Sequence, residues 1–287
     1  MSVLNRIDRS RAQPGMENVT AFWRHPRFRD MGLLKARFTR YRYQLHTHPT
    51  YVIALITDGC ERLRVGQRQE VAPANTVIVV NPEECHDGEP GAEIGWAYRT
   101  FYPSVELMTD LAREMGPEET PLFSKAVIDD PALARLLAIA HQGAEHDNDE
   151  DAEASMLIAL RHLIVEHADH RRWSQACEHT GARRRLVLYR DIIEADITGS
   201  LDLQRLAGPA CVTRFQVIRD FRRMTGLTPG AYIRNRRLRL ASGLIEQGLG
   251  LAEAAVGAGF SDQSHLSRAF KTTYGITPRM YQQAIRV

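Results

Sequence analysis

The chain is poor in cysteine: Cys60, Cys85, Cys177 and Cys211 are the four in 287 residues, and no two stand in a Cys-x-x-Cys spacing. That scatter argues against a disulfide framework and against a cysteine zinc site, so the thiols are expected to be reduced and the protein cytoplasmic. No run of 18 apolar residues occurs, so neither a spanning helix nor a membrane partner is expected. Met1 to Met16 is polar and dotted with arginine. It lacks the apolar heart of a leader or anchor, and residues 1–18 are expected to form a flexible arm. Nor does charge of one sign dominate, the net value being +2.

That near-neutral sum conceals an asymmetry. From Arg183 to the end there are 17 Arg and Lys against 8 Asp and Glu, while residues 1–182 carry 20 against 27. The basic half suits a polyanion partner. Arg183-Arg184-Arg185 and Arg234-x-Arg236-Arg237-x-Arg239 are expected to meet phosphates, with a merely solvated basic face as the plainer alternative.

The basic half also contains a repeat. Arg219-x-Phe221, Gly226, Thr228-Pro229 and Tyr232 recur as Arg268-x-Phe270, Gly275, Thr277-Pro278 and Tyr281, always 49 residues later. Blades and solenoids stack at least three copies, so two copies point to paired small units. Each glycine sits where a helix closes in a left-handed turn, and each Thr-Pro puts a hydroxyl cap before a proline that starts the next helix. Upstream of each copy lies a shorter helix and a tight turn, Leu203–Ala207 through Gly208-Pro209 and Leu251–Ala255 through Gly259-Phe260. Each unit therefore reads as a helix-turn-helix.

The second helix of such a unit enters the major groove. In the first unit Arg214, Phe215, Gln216 and Arg219 are expected on the exposed face, with Val217, Ile218 and Phe221 inward; in the second, Gln263, Ser264, His265, Ser267 and Arg268 surround Leu266, Ala269 and Phe270. Arg, Gln, Ser and His can read base edges. The segment from Pro229 to about Gln247 predicts a connecting helix. Its ~18 residues span roughly 27 Å, close to one DNA turn.

Gly259-Phe260-Ser261-Asp262-Gln263-Ser264-His265-Leu266-Ser267-Arg268-Ala269-Phe270-Lys271, followed by Gly275-Ile276-Thr277-Pro278, resembles the AraC/XylS family of bacterial transcription regulators over roughly the last hundred residues. The resemblance implies base contacts at Phe215, Ile218 and Arg219 in the first unit and at Gln263, Ser264, Ser267 and Arg268 in the second. Double-stranded DNA, a small-molecule effector, a second copy of the chain and RNA polymerase are the implied partners, and a transcription activator the implied kind of regulator. Asp220 departs from the pattern, standing where the family usually has an apolar residue.

The first half breaks into short β-rich segments between turn residues: Leu33–Tyr43, Tyr51–Thr57, Glu61–Val65, Thr76–Val80 and Trp96–Tyr102. Such spacing predicts a sandwich or barrel. His46-Thr47-His48, Gly59, the turn Val71–Asn75, Asn81-Pro82 and His86 resemble the cupin-type barrel that is N-terminal in many members of the family. His46 and His48 share one side of a strand and His86 can approach from another. Metal-binding cupins add a Glu shortly after the pair, where this chain has Tyr51, Val52 and Ile53. No metal, cofactor or catalytic residue is therefore expected; the three histidines read as polar pocket lining or as ordinary strand histidines, and the resemblance to sugar-sensing members implies an effector pocket at His46, His48, His86, Trp96 and Tyr98. Core packing is the alternative for that aromatic pair.

Beyond Pro103 the spacing turns helical. Met156, Leu157, Leu160, Leu163 and Ile164 form one apolar stripe, either packed on the chain's own barrel or, as the resemblance implies, forming a dimer contact. The expected organisation is a multidomain chain: an arm (1–18), a cupin-like effector domain (19–103), a helical dimerisation element (104–170), a linker (171–182) and an all-α domain with two helix-turn-helix units (183–287). The expected function is an effector-responsive DNA-binding regulator. The alternatives are a metal-dependent cupin enzyme and a DNA-binding dimer that senses nothing.

Overall fold

A computed structural model of the protein describes residues 19–25, 31–116, 119–145, 150–169 and 180–285. The expected arm and nearly all of the expected linker, with Trp173 and Cys177, lie outside those residues. The first half is an antiparallel sheet built around one long strand. Strands β1 (Val19–Arg24), β2 (Gly32–Phe38), β3 (Tyr43–His46), β4 (Val52–Val65), β5 (Arg68–Pro73), β6 (Val77–Val80), β7 (His86–Pro90), β8 (Trp96–Tyr102) and β9 (Val127–Ile128) run in the order β1-β2-β8-β4-β6-β9, with β3, β7 and β5 joined on through the far end of β4.

β4 unites two segments that the sequence reading separates, Tyr51–Thr57 and Glu61–Val65. Its first half pairs with β6 and β8, its second with β5 and β7. The register shifts between Ile56 and Asp58, and Gly59 at φ +70 passes so close to Gly95 that a Cβ would sit 2.1 Å from its carbonyl oxygen. Only glycine fits that bend. The Val71–Asn75 turn is likewise corrected: Val71 to Pro73 belong to β5, and the turn itself falls at Asn75, φ 70.

Alternation along the strands builds two cores. Leu33, Ile53, Leu55, Val77, Val79 and Phe101 face the helices α1 (Val105–Glu114), α2 (Pro131–Gly143) and α3 (Glu150–His167), whereas Leu34, Ala54, Ile56, Ile78, Val80 and Trp96 face the barrel interior. With both faces covered, segments such as Val77–Val80 are buried at every position. Met156, Leu160, Leu163 and Ile164, expected at a dimer contact, are buried against this sheet and the neighbouring helices, and Leu157 packs partly on the same cluster. The stripe serves the chain's own core, which corrects the dimer reading of those five residues.

The second half is all helix: α4 (Thr180–Ala195), α5 (Leu203–Ala207), α6 (Arg214–Thr225), α7 (Pro229–Glu246), α8 (Leu251–Gly257), α9 (Gln263–Tyr274) and α10 (Pro278–Ile285). Thr213, Thr228 and Asp262 cap α6, α7 and α9 with side-chain oxygens, and Gly226 and Gly275 close α6 and α9 at φ +72 and +75. Each such cap contributes about 1 kcal/mol. The first unit has a core of its own, where Leu186, Tyr189 and Ile193 of α4 meet Leu206, Val217 and Phe221. The second unit does not. Its Leu266, Phe270 and Ile276 belong to one cluster with Phe38, Trp96 and the rest of the barrel interior.

Candidate functional site

The two reading helices present different faces. On α6, Arg214 and Arg219 are exposed, Phe215 stands out at 77% exposure, and Gln216 and Ile218 are half-buried. Behind them lies Asp220, buried at 2% exposure where an apolar residue would be usual. Arg185 of α4 donates to both of its oxygens at 2.7 and 3.0 Å, Tyr189 donates at 3.1 Å and Gln216 at 2.7 Å. Burial alone pushes the Asp220 carboxyl upward, but the donors from Arg185, Gln216 and Tyr189 together outweigh it and hold the group below the ordinary carboxylate range. Gln216 in turn accepts from Arg219 at 2.6 Å. The departure at Asp220 is thus a bonded chain that runs from α4 to a groove-facing arginine.

On α9, Gln263, Ser264, His265 and Arg268 are exposed and Ser267 is half-buried. Asp262 caps the helix by accepting from the His265 backbone at 2.7 Å, and the His265 ring lies edge-on to Phe260 and 3.1 Å from the Ser261 hydroxyl. These side chains crowd the helix start, the part of a reading helix that meets bases.

The arginine clusters need correction. Arg237 donates to the carbonyls of Ile197, Gly259 and Gly199 at 2.7, 3.0 and 2.6 Å, Arg236 pairs with Glu194, Arg239 with Glu83, and Arg185 with Asp220. Those four guanidiniums brace the fold instead of presenting themselves to phosphate. At the first unit Arg183, Arg184, Arg190, Arg205, Arg214, Arg219, Arg222 and Arg223 are exposed.

Inside the barrel His46, His48 and His86 do converge. His46 Nδ1 lies 2.6 Å from the Gln44 carbonyl and His86 Nδ1 2.9 Å from that of Glu84, so both rings carry their proton there and aim the Nε2 lone pair inward. Nε2 of His46 and His48 are 3.0 Å apart. Burial, reinforced for His46 and His48 by the neighbouring imidazoles, holds all three below the usual histidine range, hence neutral. Glu61, Tyr43, Tyr98 and Tyr102 line the same space, and Tyr274 of α9 comes over it, its ring 5.5 Å from that of His48. Burial, then Asp87, pushes the Glu61 carboxyl up to about 8.

The cavity itself measures only about 50 Å³, room for an ion and a water or two and far below the few hundred Å³ of a metabolite site. Trp96 does not line it. The indole is fully buried between Phe38 and Tyr98, which corrects its expected place in the pocket wall.

A larger space lies where the halves meet. A cleft of about 630 Å³ has Phe22, Met31, Leu34 and Leu107 on the barrel side and Gly243, Phe270, Ile276 and Tyr281 on the helical side. Its rim is tied across by Arg24 to Glu246 at 2.5 Å and by Arg239 to Glu83 and Thr47, both at 2.6 Å. Nothing in the sequence announces this space, because its walls come from segments some 200 residues apart. Glu61 left a trace: it stands two and four residues before the inward-facing Leu63 and Val65 on one strand, so alternation places it inside.

A cavity-bearing antiparallel barrel with flanking helices, joined to paired helix-turn-helix units whose reading helices are exposed, defines a ligand-binding DNA-binding regulator. Residues 30–163 match the AraC-like ligand binding domain and residues 206–284 match a helix-turn-helix domain. The uncharacterized HTH-type transcriptional regulator YbfI of Bacillus subtilis is 27% identical over 226 residues, 78% of this chain and 82% of YbfI. The HTH-type transcriptional activator AarP of Providencia stuartii is 32% identical over 91 residues, 31% of this chain and 67% of AarP. ToxT of Vibrio cholerae, solved with an unsaturated fatty acid bound, shares the fold with a TM-score of 0.51 at 12% identity, over 94% of this chain and 97% of that one. The chain belongs to the AraC family of transcription regulators. Among its described residues no helix is long and apolar enough to cross a membrane.

Proposed function

We propose that the regulator's effector occupies the cleft between barrel and helices, and that base contacts are made by Arg214, Phe215 and Arg219 of α6 and by Gln263, Ser264, His265, Ser267 and Arg268 of α9. The observation that carries this reading is the cleft's double wall. Phe270 and Tyr274 of reading helix α9 form one side of it, so an occupant has differential contacts with the docked and undocked positions of α9, which is what a population shift requires. The apolar walls suit a mainly apolar molecule, and an anionic head would take the place of Glu246 or Glu83 on Arg24 or Arg239. Unsaturated fatty acid, bound in one ToxT structure, is the first probe, followed by aromatic carboxylates.

The test uses Gly243, which lines the cleft and whose added Cβ would meet nothing within 4 Å. Gly243→Leu projects an isobutyl group into the cleft from a position whose first added carbon meets nothing. It is expected to leave DNA binding intact while abolishing both the ligand's effect on DNA affinity and its thermal stabilisation, which is about 2.7 kcal/mol at 100 times Kd. An unchanged response in that variant would move the effector elsewhere. Homodimerisation is proposed through the outward side of α3, where Ile158 and Val165 are exposed, instead of the buried stripe. Sedimentation of Ile158→Glu should then show a monomer, and an unshifted dimer would sink this assignment.

A further inference from the structure

We propose that the barrel interior is a binding site for a divalent late transition metal ion, held by the Nε2 atoms of His46, His48 and His86. The sequence argues against a metal because the usual carboxylate is missing from the His pair; the three-dimensional arrangement of the imidazoles argues for one. Two rings are braced through Nδ1 to backbone carbonyls, the arrangement that fixes tautomer and ring direction in histidine metal sites. Their inward Nε2 atoms then carry lone pairs and no protons, the state in which an imidazole ligates a metal. Two nitrogens about 2.1 Å from one ion lie about 3.0 Å apart at the right angles of a tetragonal nickel or copper site and about 3.4 Å apart in tetrahedral zinc; His46 and His48 Nε2 are 3.0 Å apart. One ligand atom from each of the three residues lies within 4.8 Å of the others. The cavity of about 50 Å³ admits an ion with a water and excludes a metabolite.

A second histidine cluster provides the contrast. His162 and His167 each place Nε2 2.8 Å from Oδ2 of Asp130. There the imidazoles donate to a carboxylate and are satisfied without an ion. Neutral imidazoles with no thiolate select nickel, copper or zinc over magnesium or calcium. Glu61 lines the same chamber on another wall, where its carboxyl can face an ion's water ligand.

The experiment strips full-length protein with a chelator and titrates it with zinc chloride or nickel chloride alone, read by calorimetry and by elemental analysis after gel filtration. About one ion per chain is expected, with affinity reduced at least about 100-fold in His86→Ala and unchanged in His162→Ala. His48→Gln, which keeps a polar side chain of similar bulk, decides the matter should His86→Ala fail to melt like the stripped wild type. Absence of uptake by the wild type would overturn the proposal. So would loss of uptake in His162→Ala with retention in His86→Ala and His48→Gln. The readout contains no DNA, so it stands or falls apart from the effector assignment.

Discussion

The two copies of the repeat share caps, turns and glycine closures, yet they are held in different ways. The first unit closes a small core of its own with α4 and fixes its reading helix through buried Asp220. The second unit has no such acid. It leans on the barrel: Tyr41 donates to the Lys271 carbonyl, Tyr274 covers the histidines, and a Cβ on Gly275 would lie 2.3 Å from the Tyr43 hydroxyl. Similar local sequence therefore yields one reader tied to the linker-side helix and another tied to the sensing domain. On the proposed effector site, an occupant of the cleft would act first on the second.

The comparison breaks most visibly at Asp220. Asp220→Ala leaves Arg185 and Tyr189 without their acceptor and should destabilise the first unit by about 3 kcal/mol, read as an early separate melting transition while the barrel transition stays put. Asp220→Leu with Arg185→Met should restore most of that loss, because a buried pair replaced as a whole by apolar groups is often neutral. A single unshifted transition in Asp220→Ala would show that the units are not held separately.

Acid and alkali should separate the two regions by sign. Asp220 is held below the ordinary value of 3.8 in the fold, so its contribution is full above that pH and is lost as pH falls through the folded value. Glu61 is raised from 4.5 to about 8. The native carboxyl keeps its proton where the unfolded chain has released it, so stability from this source is full below pH 4.5 and declines as pH rises toward 8. In metal-stripped protein Glu61→Gln should therefore gain about 2 kcal/mol over wild type at pH 9 and nothing at pH 4. Equal differences at both pH values would remove the buried acid from the account.

The smallest expected effects concern DNA. Arg268→Ala should cost about 1–2 kcal/mol on a specific site and little on random DNA, as a base contact does. Arg219→Ala should cost less, since its guanidinium must first leave Gln216. Arg237→Ala should leave the slope of affinity against salt unchanged, because that side chain is spent on three carbonyls. A flattened slope would return Arg237 to the phosphates.

The helical half was largely legible in the sequence, because caps and closures are local: Thr213, Gly226, Thr228 and Gly275 act within a few residues of themselves. The barrel was legible in kind but not in pairing. β4 read as two strands because a bend at Gly59 flips which residues face inward, and the bend's cause, Gly95, lies 36 residues away. The arginine clusters misled for a similar reason. Charge shows in the sequence, but whether a guanidinium meets phosphate or a carbonyl on another helix depends on distant partners. The cleft, being an interface, left no local trace at all.

The long strand β4 also orders the protein's synthesis. It pairs with β5, β6, β7 and β8, so the sheet cannot close until residue 102 has left the ribosome, and such non-local pairing is slow. The first unit's core needs only the stretch from Leu186 to Ile233 and can close promptly once that stretch emerges. α9 and α10 come last and dock on a barrel already formed. A chain cut short before Gln263 would therefore carry a finished barrel with Phe38, Tyr41 and Tyr43 uncovered, an apolar face of the kind that draws chaperones or aggregates.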